Sequence, residues 1–155
     1  MSLVKQDSTI FSLLDKEDEK QIMNLEQFGN PDRLVYKVGD NLQLSFVGIK
    51  HIGFIMAKNG QALKTLSAEC ELVGDSKEEK TWYATVKVHN IQTEQTEIGF
   101  SECSFYDGTG KIDHFARTKA MSKAERNAKK KLIPEYLITE LIKEATSNGK
   151  VKNLK

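Results

Sequence analysis

The stretch Lys111–Leu132, KIDHFARTKAMSKAERNAKKKL, decides how the rest of the chain is read. Ala116, Ala120, Ala124 and Ala128 recur at every fourth residue, and four-residue steps keep to one face of a helix. Ile112, Phe115 and Leu132 flank the row, so the face is apolar but thin, which lets a helix lie close against a sheet. Asp113, just after the turn residues Asp107-Gly108-Thr109-Gly110, is the expected N-cap. Pro134 ends the pattern, because proline lacks the next helical N–H.

The remaining surface of this helix is basic. Arg117, Lys119, Lys123, Arg126, Lys129, Lys130 and Lys131 are opposed by one acid, Glu125. Lys119, Lys123, Arg126 and Lys130 follow an i, i+4, i+7, i+11 spacing and form one expected stripe beside the alanines. The whole chain has 23 basic and 22 acidic residues; without these seven and one it has 16 against 21. A near-neutral protein thus concentrates positive charge on one helix. Such a field suits a polyanion, above all a nucleic-acid backbone, and a solvated lysine-rich face is the plain alternative.

The length of 155 residues allows a single domain with a core of its own. No apolar run is long enough to cross a membrane and no secretory signal is read at the N-terminus, so the expected compartment is the cytoplasm. Cys70 and Cys103 lack metal-ligand spacing and read as small strand residues, and His51, His89 and His114 are scattered. No cofactor or metal is expected.

Outward from the basic stretch, residues 1–31 read as an acidic N-terminal helix or arm, closed by the turn Gly29-Asn30-Pro31-Asp32. Residues 32–146 read as one α+β nucleic-acid-binding domain, and 147–155 as a polar tail. Within the domain, a short strand over Leu34–Val38 precedes a helix from Ser45 to the stop at Asn59-Gly60. Three strands then follow by period-two alternation: Leu66 to Leu72, Trp82 to His89, and Glu97 to Tyr106. Parity slips between Phe100 and Cys103, which predicts a bulge or bend there. A final helix begins at Pro134. The expected fold is therefore α+β: one three-stranded antiparallel meander, the long basic helix on one face, and further helices flanking it.

Catalytic patterns fail on spacing. Gly108-Thr109-Gly110-Lys111 lacks the earlier glycine and the following Ser or Thr of a phosphate loop, those places holding Phe105 and Ile112. The N-terminus of the following helix still offers amides to a phosphate. Glu97, Glu102, Asp107 and Asp113 surround the third strand and the helix start without a paired spacing. The expectation is a binding protein and not an enzyme.

Residues 42–134 resemble the single-strand annealing recombinases of phages and mobile elements, a group that includes the Erf-like proteins. The resemblance rests on a helix before a three-stranded meander and an alanine-bearing helix after it. Thr118-Lys119-Ala120 and Arg126-Asn127-Ala128 stand at the positions of an Arg-x-Ala signature, and Gly99-Phe100 lies on the preceding strand. It implies a role in DNA recombination or repair by strand annealing, without bond cleavage, by a homo-oligomer in a ring or filament. Single-stranded DNA would be held by its backbone. The expected contact residues are Lys111, Arg117, Lys119, Lys123, Arg126, Lys129, Lys130 and Lys131, with Tyr106 as a stacking surface. About four to six neutralised phosphates would give a log–log salt slope of roughly −3 to −4. A general module for double-stranded DNA or RNA, and a protein that docks an acidic partner, are the alternatives.

Overall fold

The computed structural model describes residues 2–23 and 34–154. The expected turn at 29–32 lies outside them. The fold class is α+β: among the described residues there are four helices and two three-stranded sheets. The elements run α1 (Ser2–Met23), β1 (Val35–Val38), β2 (Asn41–Leu44), α2 (Phe46–Lys58), β3 (Leu63–Val73), β4 (Thr81–Asn90), β5 (Thr96–Ser104), α3 (Ala116–Leu132), α4 (Glu135–Ser147) and β6 (Val151–Leu154). They form two compact units, one of Met1–Ile52 with Pro134–Lys155, the other of Gly53–Ile133.

A single meander is therefore not the whole sheet content. The discontinuous unit has its own sheet in the order β2–β1–β6. Strand β1 pairs antiparallel with β2 through a two-residue loop in which Gly39 takes φ +61°, a conformation glycine reaches without strain. It pairs in parallel with β6, matching Val35 to Val151 and Val38 to Leu154. The residues expected to be a polar tail thus supply an edge strand. Their short alternation, with Leu154 buried, carries too little local signal to announce a strand without its partner. As the central strand, β1 buries successive residues Val35 and Tyr36 on opposite faces.

The start of α2 shows why polar residues are buried in this unit. A helix leaves its first four N–H groups without intrahelical partners. Here Phe46 N–H donates to Asp18 Oδ1 at 2.8 Å and Val47 N–H to Gln21 Oε1 at 3.0 Å. Gly48 N–H donates to Ser45 Oγ at 3.0 Å, and the N–H of Ser45 itself donates to the Leu34 carbonyl at 2.9 Å. All four are satisfied, two of them by α1. The Tyr36 phenol is buried as well; burial and the carboxylates of Asp18 and Glu17 push its ionisation far above the usual range.

The continuous unit holds the antiparallel sheet β3–β4–β5 and helix α3. Ala84, Val86 and Val88 of β4 form one buried cluster with Ala120, Ala124, Ala128 and Leu132 of α3. Each fully buried valine contributes about 1.5–3 kcal/mol. Small residues set the spacing: a Cβ on Gly99 of β5 would run into the Ala124 carbonyl and the Ala128 amide, and would lie 3.0 Å from the Ala128 Cβ. The bulge falls between Thr65 and Ser67 of β3, while β4 and β5 stay in register throughout. No slip is needed at Phe100, because β5 is two-sided: Gly99, Ser101 and Cys103 share the face of Val86, Ala84 and Trp82, and Ile98 and Phe100 share the other.

Candidate nucleic-acid interface

Helix α3 begins at Ala116, later than its sequence suggests, and Phe115 holds the N-cap position without a side-chain cap. Asp113 acts one turn earlier, its Oδ1 accepting the Phe115 N–H at 2.9 Å. Phe115 and Ile112 are exposed and do not extend the alanine face. The preceding turn explains why the glycine pair makes no phosphate cradle. Asp107 Oδ1 accepts the N–H of Thr109 at 2.8 Å, its Oγ at 2.6 Å, and the N–H of Lys111 at 3.0 Å. The protein's own carboxylate fills the place an anion would take, and the Thr109 hydroxyl and these amides hold it below the usual carboxylate range.

The basic residues of α3 do not form one stripe in solvent. Lys123 is 3% exposed and is not free of partners; it adjoins Ala124 on the shoulder of the alanine row, so it is removed from any outer surface. Lys119 pairs with Asp113 at 2.9 Å and Lys129 with Glu125 at 3.2 Å, which cancels part of the field. Arg126 Nε donates to Asn127 Oδ1 at 3.0 Å. Arg117 lies over the Trp82 ring, 5.9 Å from its centroid. Tyr106 is half-buried, edge-on to Phe105 and beneath the Lys77 ammonium at 5.2 Å. Lys111 is exposed in the turn before the helix. Arg117 and Lys130 stand thirteen residues apart on the helix, about 20 Å along its axis, so the nominated residues do not converge on one site.

A smaller group does converge, between α3 and the outer edge of β5. An unpaired strand edge presents free carbonyls. Two of these are taken by α3: Asn127 Nδ2 donates to the Phe100 carbonyl at 2.7 Å and Lys131 Nζ to the Ile98 carbonyl at 2.7 Å. Beside them a depression of about 460 Å³ is lined by Phe100, Asn127, Lys130 and Lys131. Phe100 is 64% exposed. Lys131 keeps two further donors after its carbonyl bond, and Lys130 is exposed with no ion pair among the described residues. An exposed aromatic residue that lines the same depression as two lysines offers stacking and charge together.

Lys130 and Lys131 were nominated by sequence; Phe100 and Asn127 were not. The signal for Phe100 was the parity slip in β5, which marks an apolar residue on the face away from α3. The four acids around β5 do not meet. Glu102 lies on the face away from α3, Glu97 accepts from Gln95 at 3.4 Å, and Asp107 and Asp113 hold turns. Among the described residues no group of three His, Cys, Asp or Glu side chains is placed to hold a metal ion, and no helix is long and apolar enough to cross a membrane. No family model, curated protein or solved structure matches the chain.

Proposed function

We propose that the protein binds single-stranded DNA in the groove between β5 and α3 and promotes strand annealing in recombination or repair, without cleaving bonds, as a cytoplasmic homo-oligomer. The observation that carries this reading is the depression between β5 and α3, which the exposed residue Phe100 lines together with Lys130 and Lys131. A base stacks on the ring regardless of its identity, and the ammonium groups meet the adjoining phosphates. Pairing of Lys119 and Lys129 and burial of Lys123 lower the number of phosphates each protomer neutralises to about two or three, for a log–log salt slope of roughly −1.4 to −2.

Fluorescence anisotropy with an unstructured oligothymidine tests the reading. Phe100→Ala is expected to weaken binding by about 1–3 kcal/mol, the worth of one stacked base. Lys130→Glu is expected to weaken it further as salt is lowered, with the melting temperature unchanged because the residue is exposed. Binding by Phe100→Ala equal to wild type, or a flat salt response, would refute the groove.

A further inference from the structure

The face of β3–β4–β5 turned away from α3 is exposed, and its cross-strand rows are ordered by charge. Register gives the rows Lys64–His89–Thr96, Ser67–Lys87–Ile98, Glu69–Thr85–Phe100 and Glu71–Tyr83–Glu102 in succession. Basic residues hold one end and acids the other. Between them stand exposed apolar groups, Ile98 at 38%, Tyr83 at 46% and Phe100. A polyanion laid across the whole of this face would meet Glu69, Glu71 and Glu102, so charge disfavours nucleic acid here beyond the β5 edge at Phe100.

We propose that this face docks a second copy of the same chain about a two-fold axis running across the strands, between the Lys87 and Thr85 rows. Such an axis reverses the strand direction and places each basic row on an acidic one. Lys64 then faces Glu71 of the second copy, Lys87 lies beside Glu69, and Ile98 packs on Phe100, each contact occurring twice as a two-fold requires. The other in-plane axis, along the strands, would set Lys87 on Lys87 and Glu71 on Glu102, and like charges opposed across an interface are strongly unfavourable. The charge order therefore selects one arrangement and rejects the other. Three strands about 4.8 Å apart and about 33 Å long cover roughly 500 Å² on each copy, below the size of stable permanent interfaces, so the dimer is expected to be weak and concentration-dependent.

Two charge-reversed variants test this, each exposed at every changed position: Lys64→Glu/Lys87→Glu and Glu69→Lys/Glu71→Lys. The readout is sedimentation equilibrium of the full chain from about 5 to 200 μM, wild type being expected to pass from monomer to dimer across that range. Each variant alone repels itself in both halves, and its dissociation constant is expected to rise at least about tenfold. Mixed in equal amounts, the two variants complement each other in both halves and the dimer returns. Melting temperatures of the single variants, expected to match wild type, separate a lost interface from a lost fold. A wild type that stays monomeric at 200 μM, a variant that self-associates as wild type does, or a mixture of folded variants that stays monomeric would each overturn the proposal. The dimer covers Phe100, so DNA and the second copy compete for that residue. None of the four changed positions lines the groove, so a variant that has lost the dimer still presents Phe100, Lys130 and Lys131 for the DNA-binding measurement.

Discussion

Gly99 shows how much a single missing methyl group decides. Nothing about its backbone requires glycine; the requirement is space, since a Cβ would meet the main chain of α3 at Ala124 and Ala128. Main chain yields less readily than a flexible side chain. Gly99→Ala is therefore expected to cost about 1–3 kcal/mol, the usual penalty for overpacking, read from the urea midpoint. Gly53 supplies the contrast: a Cβ there meets nothing within 4 Å, and the residue lies inside α2. Gly53→Ala should stabilise by about 0.5–1 kcal/mol. Equal effects at the two positions would show that spacing between α3 and β5 is not what Gly99 protects. The alanine spacing was legible in the sequence, and Ala116, Ala120, Ala124 and Ala128 are fully buried. The fate of Lys123 was not, because a lysine on the shoulder of a helix reads the same whether its flank meets water or protein.

At the scale of elements, legibility followed the range of the interactions. Ser45 and Gly60 bound α2 through their own backbone neighbours, and both were readable. Asp18 and Gln21 complete the same cap from 28 and 26 residues away, which no local pattern reveals. Asp18→Ala leaves the buried Phe46 N–H without its acceptor, and an unsatisfied buried donor costs about 1–3 kcal/mol. Thermal unfolding should show that loss, and amide exchange should show it first in the opening turn of α2. A variant that melts with wild type would mean that the cap is dispensable. Strand β5 was legible as a strand, but the bulge or bend read from its parity is not a break in register, since its apolar residues serve both faces.

For the molecule as a whole, distant segments are joined by charge as well as by strands. Glu17 of α1 accepts from Lys152 of β6 at 2.8 Å and from Lys20 at 3.2 Å. Burial alone would raise the Glu17 carboxyl, but the two ammonium groups outweigh it and hold the group below its usual value of 4.5. A carboxylate with a lowered folded pKa stabilises fully above the unfolded value, and that contribution is lost as pH falls through the folded one. Melting temperature should accordingly drop below about pH 4.5, and Lys152→Met should flatten the drop by removing the partner. An unchanged pH profile in Lys152→Met would remove the link. Because β6 pairs with β1, the unit that opens the chain is finished only by residues that follow Pro134. During synthesis at about 5–20 residues per second, β1 leaves the ribosome several seconds before β6 can reach it. Gly53–Ile133 has all its strands and α3 in hand sooner. The inserted unit is thus expected to fold first, while the hairpin of β1 and β2 waits with one edge open, the state in which a nascent chain most needs a chaperone.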